Sequence, residues 1–304
     1  MKIAGFGVAC LDRIALTGAP DNNRSAVISR YTEQPGGLTA NALLAAARLG
    51  ADVRFTGALG EDPAGRQILS MLRSEGVDAD LAELVPGRES YFSWILIDED
   101  TAERHIYCKR DTVKQEDLRI LPEAVEDAEV FLTDSHFPAA AAAYARIAYE
   151  AGIPTVGDYK LSPENAELLL RYTEYPIVSE DYALSLAPDG RIETALEVMA
   201  GSNDRCVPVI TCGARGCVYY HEGRAERVPA FQVPAVDTAA AGDVFHGGFA
   251  RAIGAGCCVR AALVFASAVS AIKCTRFGGS AGAPSLEEVR LFLAKHNLVE
   301  GVIC

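Results

Sequence analysis

The stretch Val236-Asp237-Thr238-Ala239-Ala240-Ala241-Gly242-Asp243-Val244-Phe245-His246-Gly247-Gly248 joins a run of small residues to an acid at the head of a helical pattern. Small side chains let backbone N–H groups approach an anion at a helix N-terminus, where the macrodipole also favours negative charge. The carboxylate of Asp243 then stands beside an anion site instead of filling it. Phosphoryl transfer needs that pairing: donors that neutralise the moving group, and a base that receives the acceptor's proton. The plainer reading of the same run is an Ala/Gly-rich turn with Asp243 as N-cap of a helix Val244–Ile253.

Outward from this run, β-like and α-like periodicities alternate. Apolar runs at Val53–Ala58, Val130–Thr133, Thr155–Asp158, Ile177–Ser179 and Val207–Thr211 each end near a Gly, Asp or Ser. Between them lie helical patterns at Ala42–Leu49, Gly65–Ser74, Ala139–Ala151, Pro163–Leu170 and Ile192–Met199. Such alternation predicts an α/β fold with a mainly parallel sheet between helices and ligands above the carboxyl ends of the strands. Ala15–Tyr31 and Tyr91–Lys109 break the rhythm and read as extended β segments.

Composition narrows the function classes. With 304 residues, half of them hydrophobic, the chain can sustain one large domain. No apolar run reaches the roughly 18 residues needed to span a bilayer and no cationic leader precedes the first strand, so a soluble, cytoplasmic protein is expected. A net charge of −13 disfavours nucleic acid and anionic membranes as partners. The nine cysteines contain no C-x-x-C pair and read as reduced core thiols. No H-E-x-x-H pattern supports a catalytic transition metal, and no Walker A pattern supports a P-loop.

A second block, Gln34-Pro35-Gly36-Gly37-Leu38-Thr39-Ala40-Asn41-Ala42, pairs two glycines with an amide on the first turn of a helix. Gly36 and Gly37 permit close ligand approach, and Asn41 offers donors and an acceptor to hydroxyls. Taken with Asp237–Asp243, it resembles the motifs of the ribokinase-like (PfkB) carbohydrate kinases. So do Ile3–Asp12, the turn Gly57–Gly65, the run Ile210-Thr211-Cys212-Gly213-Ala214-Arg215-Gly216 and the loop Ala271–Pro284. These blocks fall in the family's order, those from Ile3 to Asp243 over about 240 residues.

The resemblance implies a three-layer α/β/α sandwich forming a single kinase domain over 1–304, with a discontinuous β lid from about 12–34 and 90–110. It further implies ATP-dependent phosphorylation of a sugar, with Asp243 as base and Ala240, Ala241 and Gly242 as anion hole. Asp12, Gly36, Gly37 and Asn41 would hold the sugar, aided by Arg104. Lys160, Ser179, Thr211, Gly213, Gly216 and Gly279 would serve the nucleotide. Mg²⁺ is expected near Glu180, where Ser179-Glu180-Asp181-Tyr182 stands for the usual Asn-x-x-Glu, and K⁺ at Asp237. A homodimer through the lid is expected. Similarity to the ketohexokinase and sulfofructose kinase branch points to a ketose, and cations at Arg24, Arg30, Arg104, Lys109 and Arg110 suit an anionic one; a solvated strand edge is the alternative. Ribose, 2-keto-3-deoxygluconate, a nucleoside and a non-catalytic sugar sensor stay open. A Rossmann reading of Gly5-Phe6-Gly7 meets Cys10 where its third glycine is needed.

Overall fold

The computed structural model describes residues 1–18, 25–101, 103–298 and 302; the side chain of Arg104 and the whole of Arg24 lie outside them. Its centre is a nine-stranded sheet. In spatial order the strands are Arg224–Val228, Cys217–His221, Val209–Thr211, Tyr175–Ser179, Thr155–Asp158, Val130–Asp134, Lys2–Phe6, Asp52–Thr56 and Val77–Asp78. All run parallel from Val209–Thr211 onward, and the two strands before it close the edge antiparallel.

Alternation of side chains along these strands feeds two cores. Ile3, Val130, Leu132 and Val209 pack with residues of the helices Leu38–Arg48, Ala241–Gly254, Val259–Cys274 and Leu286–Lys295. Their neighbours Ala4, Phe131 and Ile210 point the other way, into Pro138–Glu150 and Ile192–Ala200. Parallel strands buried on both faces read as near-continuous apolar runs, and these do. Helix starts follow local chemistry: Asp62 accepts from the Gly65 N–H at 2.7 Å ahead of Pro63, and Ser285 forms a capping box with Glu288.

A separate four-stranded sheet, in the order Ile28–Gly36, Cys10–Thr17, Phe92–Asp98, Arg104–Lys109, is built from the two segments that broke the α/β rhythm. Two expectations change. The helix after the small-residue run begins at Ala241, with Ala240 as N-cap in the left-handed region (φ 58°), so Asp243 lies within its first turn and does not cap it. Cys257, read as a reduced thiol, is disulfide-bonded. No helix among the described residues is long and apolar enough to cross a membrane.

Candidate active site

The start of helix Ala241–Gly254 separates two cavities. One, of about 400 Å³, is lined by Asp12, Gly37, Asn41, Ser93, Arg110, His136, Lys160, Ala240 and Asp243, among others. The other, of about 440 Å³, is lined by Ser179, Thr211, Gly213, Gly216, Thr238, Ala241, Gly242 and Cys274, among others. One turn of helix therefore shows its acid to the first space and its small residues to the second. Ala241 N–H bonds Thr238 O at 3.3 Å, while the amides of Gly242 and Asp243 have no backbone acceptor among the described residues. A methyl group added at Gly242 would meet nothing within 4 Å, so this position opens on the cavity itself.

Asp243 is buried against polar groups from distant parts of the chain. Asn41, expected to bond a sugar, donates from Nδ2 to Asp243 Oδ2 at 2.6 Å. Its Oδ1 is buried with no partner and remains for a ligand hydroxyl. Burial first, then the Asp158 carboxylate, push the Asp243 carboxyl up to about 7, against the opposing effects of Asn41 and His246. His246, one turn further on, sets Nδ1 2.8 Å from Gly242 O and 3.4 Å from Asp158 Oδ2, and Nε2 3.1 Å from Ile177 O. The base is thus poised between protonation states near neutral pH, as proton transfer requires.

Across the cavity, Asp12 comes from the lid strand Cys10–Thr17. It accepts a short hydrogen bond from the Ser93 hydroxyl and one from Cys10 Sγ at 3.2 Å. Burial raises its pKa, partly offset by those two donors. Gly36 is fixed by this carboxylate: a Cβ there would fall 2.0 Å from Asp12 Oδ2. Gly37, at φ 100°, would place a Cβ 2.4 Å from Val8 O. Thr39 gives its hydroxyl to the buried Asp134 at 2.7 Å. Asp134 also accepts from the amides of Val8 (2.8 Å) and His136 (2.9 Å), tying the glycine turn to the sheet.

Several expected residues sit elsewhere. Lys160 and Gly279 line the cavity that holds Asp12 and Asp243, not the one that holds Thr211 and Gly213. Glu180, expected near Mg²⁺, forms a short ion pair with Arg215. Asp237, expected to hold K⁺, lies against the ammonium of the fully buried Lys273, with Nζ 3.5 Å from Oδ2. Arg104 falls on the lid strand, and its side chain is outside the described residues. Asp158, His246, Ser93 and the His136–Asp111 pair (2.8 Å) were not singled out from sequence. For Asp158 the signal was present, as an acid ending a predicted strand.

The chain is similar in sequence and fold to known proteins. A family model described as pfkB family carbohydrate kinase matches residues 2–286. Ribokinase of Bacillus subtilis is 29% identical over 300 residues, covering 96% of this chain and 99% of its own. The crystal structure of a protein of Agrobacterium tumefaciens, provisionally named a ribokinase, superposes with a TM-score of 0.90 at 29% identity, covering 97% of this chain and 98% of that one. A structure of Arabidopsis thaliana ribokinase complexed with ribose and ATP shares the fold at a TM-score of 0.81 and 21% identity, covering 96% and 98%.

Proposed function

The chain belongs to the pfkB family of carbohydrate kinases and is an ATP-dependent carbohydrate kinase; from that premise we propose that its acceptor is a small ketose, fructose-like in size and carrying an anionic group such as a sulfonate. The observation that carries this reading is the pair Arg110 and Lys160. Both line the cavity of Asp12 and Asp243 and both are exposed; among the described residues neither forms an ion pair with a carboxylate, although Lys160 lies near enough to Asp158 to oppose the rise in its pKa on burial. In a chain of net charge −13, two cations outside any ion pair and facing a sugar-sized space fit an anion.

In the proposed reaction the acceptor hydroxyl lies against Asp243, whose free carboxylate oxygen takes its proton as the hydroxyl oxygen attacks the γ-phosphorus of ATP, the bond from that phosphorus to the bridging β-phosphate oxygen breaks, and ADP leaves. Asn41 holds the base in place through Nδ2. Asp12 and the free Oδ1 of Asn41 bond the remaining hydroxyls. The amides of Gly242 and Asp243, at the positive end of the helix, meet charge developing on the transferred group. Nucleotide occupies the cavity of Ser179, Thr211, Gly213 and Gly216, whose small residues leave room for base and ribose. Mg²⁺ beside phosphates needs one or two carboxylates. Asp158 suits it, being 19% exposed and held by His246, whereas Glu180 is tied to Arg215. The ion would supply charge neutralisation at the phosphates.

We read the whole chain as one kinase domain, working as a homodimer through the lid, whose two edge strands expose Ile28, Tyr31, Ile106 and Tyr107. A monomer in sedimentation velocity would end the dimer reading. The acceptor is tested by ATP-to-ADP turnover over fructose, sulfofructose, ribose, tagatose, 2-keto-3-deoxygluconate and adenosine. The anionic ketose should lead, and Arg110→Ala should raise its KM roughly tenfold or more while sparing the KM for ATP. Preference for ribose, the second reading supported by the relatives' names, together with an indifferent Arg110→Ala variant, would overturn the anionic one.

A further inference from the structure

The Asp237 region does not fit a bound K⁺, because the chain already supplies cations to the groups such an ion would use. Lys273 is 0% exposed, in the last turn of helix Val259–Cys274. Its Nζ donates to Asp237 O at 2.7 Å and stands 3.5 Å from Asp237 Oδ2. The same carboxylate accepts from Ala239 N–H at 2.8 Å through Oδ1, and from Gly278 and Gly279 N–H at 3.0 and 3.3 Å through Oδ2. Burial works against its ionisation, but Ala239 N–H, the Lys273 ammonium and the two glycine amides outweigh it and hold the pKa below the usual value. On the far side of the glycine loop, Arg48 reaches the carbonyls of Ser280, Ala281 and Ala283.

These bonds meet at a mechanically important place. Asp237 is three residues ahead of Ala240, which turns the chain into the helix carrying Gly242 and Asp243. Lys273 therefore clamps the base of the anion-hole loop to the neighbouring helix. We propose that Lys273 is a positioning residue that serves as a covalently attached monovalent cation, making turnover independent of K⁺. The ammonium brings the single positive charge of such an ion to Asp237, and it cannot dissociate.

The inference rests on the kinase reading, so its test includes a measurement that needs no acceptor. Thermal melting of the purified protein in potassium, sodium, ammonium or tetramethylammonium chloride at equal ionic strength should give one midpoint, and turnover on the best acceptor should agree within about twofold across the four salts. Stabilisation or several-fold activation specific to K⁺ overturns the proposal. Lys273→Ala should melt lower and lose roughly tenfold or more in kcat with little change in acceptor KM. Ammonium or K⁺, but not tetramethylammonium, should raise its midpoint and restore part of its turnover. Undiminished activity, or a loss that no small cation relieves, overturns the proposal; if the variant does not fold, the wild-type salt series decides. Absence of turnover on every sugar, with the melting series as expected, would count against the acceptor reading alone.

Discussion

The two cavities divided by the start of helix Ala241–Gly254 are similar in volume and opposite in construction. The side we assign to the acceptor is walled by chemistry in side chains: Asp12, Asn41, Ser93, Arg110, His136, Lys160 and Asp243. The side we assign to the nucleotide is rich in small residues, among them Gly213, Ala214, Gly216, Ala241, Gly242 and Ala271, and its side-chain polar groups are uncharged, namely hydroxyls, the Gln232 amide and the Cys274 thiol. A sugar is recognised by where its hydroxyls point, which demands fixed donors and acceptors. Phosphates are recognised by charge and close approach, which the backbone at a helix start supplies. Substitutions on the first side should act through charge, and those at the dividing wall through backbone conformation.

The largest break in that contrast is Asp243→Asn. Removing the base should lower kcat by roughly three powers of ten or more while ATP affinity, read by calorimetry, stays near wild type. Gly36→Ala comes next. Its methyl group would displace the Asp12 carboxylate, so acceptor KM should rise roughly tenfold or more, with ATP affinity again untouched. Equal losses of sugar and nucleotide binding would show that the two sides are not separable.

The pH profile sharpens the same contrast. With Asp243 pushed up to about 7, kcat/KM for the acceptor should rise with pH through that value and level off above it. Its contribution to stability runs the other way. The folded state keeps a proton that the unfolded chain releases near the ordinary carboxylate value, so this contribution is present at low pH and lost as pH rises through about 7. Asp243→Asn should remove that component from the pH dependence of melting. The smallest effect is at the wall: Ala240 sits at φ 58°, and Ala240→Gly should stabilise by about 1 kcal/mol or less, seen as a slightly higher midpoint at near-normal kcat.

How much of this was legible depended on whether the information is local. The run ending in Asp243 announced a helix start, placed three residues too late, because small residues and an acid in one turn act within that turn. The parallel sheet was legible because strands buried on both faces leave apolar runs between helices. The side of the wall was not legible. Lys160 and Gly279 were assigned to the nucleotide, yet which cavity they line depends on packing across the sheet and the lid. Glu180 is spoken for by Arg215, 35 positions later, a pairing no local pattern encodes. Lys273 lies in the last turn of a mostly apolar helix, where a lysine ordinarily reads as solvated; the run Ala266–Ile272, interrupted only by Ser267 and Ser270, was the overlooked sign of burial.

The hydrogen bond from Asn41 to Asp243 joins groups 202 positions apart. During synthesis the glycine turn and its helix emerge early, while the acid they hold is still untranslated. A nascent or prematurely terminated chain lacking the final quarter has a sugar-side wall with neither the base nor the anion hole. Competence therefore arrives in a single late step of biosynthesis, and truncated products have no means of consuming ATP.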